Sequence, residues 1–339
     1  MRVANCAHER GVSTRLRPPR CALPSPTAPL QVFPCPGGRR ERQVPARAGR
    51  FMGSLMKSRV LILCLWLLAL DAQAALIEAV VQIPVEVTDQ HRSLHQQQIT
   101  VTIFRDDARE KSPFLVLNHG RAGTAAERLQ AGRARYTAIS EYFASAGFAV
   151  FVPTRVGYGV SGGPDVEDTG RCNNRDYPRG FEAAARQTLA VLEYAKRQPY
   201  IDVTRGLLVG QSFGGATTVA LAAKNLEGVK GAINFAGGSG GNPTGRPENP
   251  CSPALLARTY ADYGKSAKTP MLWLYSENDR YWGKEFPRDW FERYIKQGGN
   301  AQFVPLPASG RDGHGSFTSN PKAWKPHVEE FFKSLGFSK

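Results

Sequence analysis

Ser212 sits in Gly210-Gln211-Ser212-Phe213-Gly214, a G-x-S-x-G run that follows the apolar stretch Leu207 to Val209 and leads into an Ala- and Thr-rich segment. This pattern predicts a strand, a sharp turn and a helix, with the serine hydroxyl projected from a strained backbone at the turn. Gly210 and Gly214 are needed because side chains there would collide across the turn, and the helix N-terminus favours negative charge developing nearby. A serine capping a helix behind a glycine turn is the plainer alternative. As a nucleophile, Ser212 requires a base at neutral pH, and the candidates are His91, His95, His119, His314 and His327. His91 and His95 fall in a polar link between the first strands, and His327 falls on the last helix. His314, in Ser309-Gly310-Arg311-Asp312-Gly313-His314-Gly315, lies on a loop between the last strand and the final helix, from which an imidazole can be delivered to Ser212. We therefore read His314 as the base.

A third group must orient that imidazole, and it should follow the strand at Met271 to Tyr275. Ser276-Glu277-Asn278-Asp279-Arg280 supplies Asp279, with Glu277 and Asp312 as alternatives. Acyl transfer also needs backbone donors aimed at an oxyanion. The Phe213 amide follows the nucleophile, and a second donor is expected from Asn118-His119-Gly120-Arg121-Ala122-Gly123, at Arg121. His119 is read there as a residue that shapes the loop. Gly157-Tyr158-Gly159-Val160-Ser161-Gly162 matches a dinucleotide fingerprint, but a polar loop follows it instead of a helix, so no nucleotide site is expected. Beyond residue 75 only Cys172 and Cys251 remain of six cysteines, without the histidine spacing of a metal site. No cofactor and no metal are expected.

The elements that must position these residues alternate. Strand-like runs at Ile77 to Val87, Gln98 to Phe104, Phe114 to Leu117, Ala149 to Val152, Leu207 to Val209, Ala232 to Phe235, Met271 to Tyr275 and Gln302 to Leu306 are interleaved with helical patterns. The helices are expected at Ala134 to Ser145, Gly180 to Arg197, Ser212 to Lys224, Pro253 to Tyr263, Glu285 to Gln297 and Trp324 to Leu335. Phe181, Ala184, Ala185, Thr188, Val191 and Leu192 share one helical face and read as core. This alternation predicts a single α/β domain over 75–339, a mostly parallel, doubly wound sheet with helices on both faces. Two long polar loops, Thr154 to Arg179 and Gly237 to Pro253, each hold one cysteine. A Cys172–Cys251 disulfide would tie them into a small loop cap above the carboxyl ends of the strands, where open α/β sheets bind ligands.

Of the net charge of +15, residues 1–74 carry +9. The remainder has no basic run interleaved with aromatics, so nucleic-acid binding is rejected. Residues 1–55 show no periodicity and read as an irregular leader, disordered or not translated, with translation expected to begin at Met56. Met56 to Arg59, the apolar run Val60 to Leu70 and Ala72-Gln73-Ala74 have the form of a signal peptide over 56–74. The apolar run is too short for a stable membrane anchor. These features predict an exported protein, periplasmic or secreted, in an oxidising compartment where two lone cysteines pair.

Five motifs in order, Asn118-His119-Gly120, Arg155 to Gly163, Gly210 to Gly215, Ser276 to Asp279 and Gly313-His314-Gly315, resemble the α/β-hydrolase superfamily and, within it, the dienelactone-hydrolase-like group. The resemblance runs across residues 77 to 336 and implies that scaffold, a Ser-His-acid triad and carboxylic-ester hydrolysis. One position departs: dienelactone hydrolases proper use cysteine where this chain has Ser212, so the dienelactone substrate is not implied. Tyr158, Tyr177, Tyr281, Trp282 and the charged segment Asp165 to Asp176 are expected at the mouth of the site, which points to a small or medium, polar or aromatic ester. A peptidase or amidase of the same fold and a non-catalytic binding scaffold are the competing readings. The partner expected is a small-molecule ester, and the sequence gives no oligomeric state.

Overall fold

The computed structural model describes residues 76–337; the expected leader and signal peptide, 1–55 and 56–74, lie outside the described residues. The strands are β1 (Leu76–Thr88), β2 (Leu94–Asp106), β3 (Ser112–Asn118), β4 (Ala149–Thr154), β5 (Gly170–Arg171), β6 (Asn174–Arg175), β7 (Ile201–Gln211), β8 (Val229–Phe235), β9 (Met271–Ser276) and β10 (Ala301–Leu306). Eight of them form one sheet in the order β1-β2-β4-β3-β7-β8-β9-β10, and β5 and β6 make a separate hairpin. β1, β2 and β4 pair antiparallel, whereas β4, β3, β7, β8, β9 and β10 run parallel.

Side-chain alternation divides the core into two layers. Phe114, Val116, Phe151, Leu208 and Trp273 pack on one face of the sheet, and their neighbours Leu115, Leu117, Val150, Leu207 and Leu272 pack on the other. Both faces are covered, so the central strands read as continuous apolar runs. The helices are α1 (Ala125–Gln130), α2 (Thr137–Ser145), α3 (Tyr177–Lys196), α4 (Phe213–Ala222), α5 (Pro253–Gly264), α6 (Glu285–Lys296), α7 (Ser316–Ser319) and α8 (Pro321–Ser334). Helices α3, α4, α5 and α6 contribute to the first layer, and α2 and α8 to the second. The six residues singled out on α3 are all buried, as their helical spacing requires. This is the α/β-hydrolase fold.

The hairpin β5–β6 and the short helix α7 are not expected from the sequence pattern, α3 and α8 each start three residues early, and two further departures have a local cause. The helix expected from Ala134 starts at Thr137, because Tyr136 takes a left-handed backbone (φ 46°) and the Ala134 amide donates to Thr154 Oγ1 at 2.8 Å. Helix α1 was not anticipated. It is short and has no buried residue, so no apolar stripe betrays it, although Thr124 and Glu127 form a reciprocal capping box that is visible as T-x-x-E. Parallel pairing puts the carboxyl ends of β4, β3, β7, β8, β9 and β10 (Thr154, Asn118, Gln211, Phe235, Ser276 and Leu306) along one edge of the sheet, and the connections leaving that edge carry Ser212, His314, Asp279, Phe213 and Arg121. No described helix is long and apolar enough to cross a membrane.

Candidate active site

β7 ends at Gln211 and α4 begins at Phe213, leaving Ser212 alone in the turn with φ 57° and ψ −121°. A non-glycine residue held there stores backbone strain of about 1–3 kcal/mol. The crossing is tight enough to demand glycine on both sides. A Cβ on Gly210 would lie 2.0 Å from the Gly214 carbonyl oxygen, and one on Gly214 would lie 2.2 Å from that of Asn118.

The loops after β9 and β10 converge on this turn. His314 Nε2 lies 2.9 Å from Ser212 Oγ, and His314 Nδ1 lies 2.9 Å from Asp279 Oδ2. Asp279 is wholly buried, and its other oxygen accepts the amides of Tyr281 (2.8 Å) and Trp282 (3.2 Å). The carboxylate is thereby aimed at the imidazole, whose Nδ1–H donates to it and leaves Nε2 as an acceptor for the serine hydroxyl. Of the alternatives, Glu277 is exposed. Asp312 instead ties the two loops together, its Oδ1 accepting the amides of His314 and Arg280, each at 3.0 Å. The Tyr281 ring stacks on the imidazole with centroids 3.9 Å apart, and Trp282, its Nε1–H donating to the Ala236 carbonyl, stands edge-on behind it at 5.4 Å.

Phe213 opens α4, so its amide has no carbonyl one turn back. Neither that amide nor the Arg121 amide donates to another protein atom among the described residues. The Arg121 guanidinium is clamped by Asp165 through two bonds, at 2.7 and 2.5 Å, and lies 5.9 Å from the centre of the Phe213 ring. Arg128 reaches the same carboxylate at 2.8 Å. Asp165 thus connects the cap to the loop that carries the Arg121 amide, a partnership that no spacing in the sequence signals.

His119 is committed elsewhere, as its loop-shaping role requires. Its Nδ1–H donates to the Gly120 carbonyl at 2.6 Å, and its Nε2 accepts the Arg155 amide at 3.2 Å. Burial and then the Arg155 charge push its pKa well below the ordinary histidine value, so it stays neutral. Arg155 forms a fully buried ion pair with Glu167 and donates to the His119 carbonyl at 2.8 Å. Burial alone would lower the Arg155 pKa; the Glu167 carboxylate outweighs it and raises the value. Tyr158 also belongs to this network, with its hydroxyl donating to Glu167 at 3.1 Å. One tyrosine expected at the mouth is corrected. Tyr177 is fully buried, lines neither cavity beside Ser212 and donates its hydroxyl to the Cys251 carbonyl, whereas Tyr158 holds Glu167 and still lines one of them. Tyr177 opens α3 one turn before Phe181 and continues the buried stripe of that helix, which starts three residues earlier than the pattern predicts.

A cavity of about 260 Å³ opens beside Ser212, lined by Asp168 and Arg175 from one long loop, Ser239 and Gly241 from the other, and Tyr281 and Trp282 from the acid loop. A second cavity of about 320 Å³ shares its Arg121–Ala122 wall and reaches Tyr136, Tyr158 and Gln211. The Cys172–Cys251 disulfide, with Cα atoms 5.0 Å apart, joins the two long loops. Among the described residues no cluster of metal-binding side chains occurs. The arrangement can activate a hydroxyl, hold an oxyanion and accept an acyl group.

The dienelactone hydrolase family profile matches residues 128–315, more than half of the chain. Protein bem46 from Schizosaccharomyces pombe is 28% identical over 131 residues, and the match spans 39% of this chain but only 37% of that relative's length. Among solved structures, Est1E from Butyrivibrio proteoclasticus with bound ferulic acid is 19% identical with a TM-score of 0.50, covering 70% of this chain and 96% of its own, a similarity of fold. The esterase Pf2001 from Pyrococcus furiosus is 15% identical with a TM-score of 0.49, covering 75% and 90%.

Proposed function

The chain belongs to the dienelactone hydrolase family, and from that premise we propose that this hydrolase cleaves carboxylic esters with Ser212 as nucleophile, His314 as base and Asp279 as orienting acid. The observation that carries the reading is the continuous relay from Ser212 Oγ through the two nitrogens of His314 to Asp279, both links 2.9 Å. In the reaction His314 Nε2 takes the Oγ proton as Oγ attacks the ester carbonyl. The oxyanion forms against the Phe213 and Arg121 amides, each worth about 10²–10³ in rate when such a donor is well placed. His314 returns the proton to the departing alcohol, and a water activated the same way hydrolyses the acyl-enzyme. The strained turn, the closed carboxylate geometry and the clamped Arg121 all hold the groups before substrate arrives, so little reorganisation opposes the step.

The substrate we propose is a small or medium polar or aromatic ester. A cavity of about 260 Å³ bounded by Asp168, Arg175 and Ser239 supports this size and polarity over a long acyl chain. We propose too that the protein is exported to the periplasm or beyond, a reading supported by the disulfide between its cap loops. The test is hydrolysis of a nitrophenyl ester series by wild type and Ser212→Ala. Rates should fall as the acyl chain lengthens and vanish in the variant; rates rising toward long chains would overturn the substrate class, and full activity in Ser212→Ala would overturn the mechanism.

A further inference from the structure

The arginines packed beneath the cap are matched by carboxylates: Arg121 and Arg128 by Asp165, and Arg155 by Glu167. Arg175, at the end of the β5–β6 hairpin, is not. Its Nη1 donates to Thr169 Oγ1 at 2.9 Å, its Nη2 meets Cys251 Sγ at 3.5 Å, and its Nε is enclosed by protein without any hydrogen-bond partner. Among the described residues no carboxylate lies within ion-pair distance of it. This unmatched cation lines the same cavity as Ser212.

A second cation lies close by. Arg246, beside the disulfide, also has no carboxylate partner among the described residues; its guanidinium donates to Cys172 Sγ at 2.7 Å, Cys251 Sγ at 2.8 Å and the carbonyl of the cavity residue Gly240 at 3.3 Å. Asp168, the one carboxylate on the cavity wall, keeps its charge but lies beyond ion-pair distance of Arg175, held in place by Gln90 Nε2 at 2.7 Å and the Gly170 amide at 2.9 Å. A partly buried charge left without a counter-charge is costly, and a guanidinium presents a planar fork of donors that fits a carboxylate.

We propose that Arg175 is the subsite for a carboxylate carried by the ester itself, so that the preferred substrates are anionic esters: half-esters of dicarboxylic acids, or acyl esters of hydroxy- or phenolic acids. The proposal rests on the ester-hydrolase reading of Ser212. Arg175 comes from the disulfide-tied cap, not from the loops that hold the catalytic groups, and therefore selects substrate without taking part in proton transfer.

Two matched pairs, each differing only by methylation or ethylation of a carboxylate, test it by pH-stat titration: monoethyl and diethyl succinate, and 4-acetoxybenzoate and its methyl ester. In one pair wild type should favour the anion in kcat/KM by about tenfold to a hundredfold, the discrimination expected of a charge-assisted hydrogen bond, and the pair that shows it tells whether the carboxylate sits on the acid or the alcohol side. Arg175→Gln should bring that ratio to within about twofold of one, and Arg175→Lys should keep part of it. Free succinate or benzoate should inhibit wild type competitively and Arg175→Gln much less. A wild type with no anionic preference in either pair, or an Arg175→Gln variant that keeps the ratio, overturns the proposal. Wild type that hydrolyses none of the four and leaves Ser212 unlabelled by a fluorophosphonate overturns the underlying ester-hydrolase reading instead.

Discussion

Replacing Asp279 by Asn changes one atom of the relay, and the structure dictates the consequence. The two amides that meet Asp279 Oδ1, those of Tyr281 and Trp282, are donors and require an acceptor. An asparagine must therefore turn its oxygen toward them and its NH₂ toward His314 Nδ1. That nitrogen can no longer donate, so the imidazole proton moves to Nε2, which then faces Ser212 Oγ as a donor at 2.9 Å and cannot accept the serine proton. The same reversal of tautomer in another serine hydrolase lowers turnover about 10⁴-fold, equivalent to about 5.5 kcal/mol on the barrier. Asp312→Asn tests the alternative acid: an amide oxygen can still accept from His314 and Arg280, so its loss should stay within about tenfold. Glu277 is exposed, and Glu277→Gln should change turnover less than about twofold. The assay is kcat for nitrophenyl acetate in each variant, with melting temperatures to show that each is folded. Asp279→Asn retaining more than about a tenth of wild-type kcat, while either other variant loses about a thousandfold, would refute the tautomer argument.

Other consequences follow from the network and the bridge. Glu167→Gln strips the partner from the fully buried Arg155 and should cost about 3–5 kcal/mol, read as a fall of about 10 °C in melting temperature; an unchanged Tm would show that the pair is not buried as described. Removing both Cys172 and Cys251, which are 79 residues apart, should cost about 4 kcal/mol in the chain-entropy picture and give a similar drop, and a shift under about 2 °C would contradict it. His119 has a folded pKa well below its unfolded value of 6.5, so the unfolded chain binds a proton that the folded one refuses once pH falls below 6.5. Stability should be full above that pH and decline below it by up to about 1.4 kcal/mol per pH unit from this group. The Tm difference between pH 7.5 and 5.5 should therefore shrink in His119→Asn; an equal difference in both proteins would exclude His119 as the cause.

What could be read from the sequence is what repeats or is local. The two-layer alternation of Phe114 to Leu117 and of Met271 to Tyr275, the helical stripe of α3 and the glycine-bounded turn at Ser212 all leave their period or spacing in the chain, and the elements appear within a few residues of expectation. The relay was legible as residue types on loops, since chain order places the strands before His314 and Asp279, but only the folded chain brings the side chains within 2.9 Å. The pairings that hold the cap were not legible. Arg121 and Asp165 are 44 residues apart and Arg155 and Glu167 lie 12 apart in an aperiodic loop, so neither spacing reports a contact. The same absence of period hid the inward turn of Tyr158, whose hydroxyl serves Glu167, whereas Tyr177 was misplaced because α3 starts three residues before the pattern predicts and carries it onto the buried stripe.

The most direct test of the central claim is to react the purified protein with a fluorophosphonate and map the modified peptide by mass spectrometry. A single adduct is expected on Ser212, formed in step with loss of esterase activity and abolished in His314→Ala. Hydrolysis that survives complete modification of Ser212, or an adduct on another residue in step with inactivation, would contradict it.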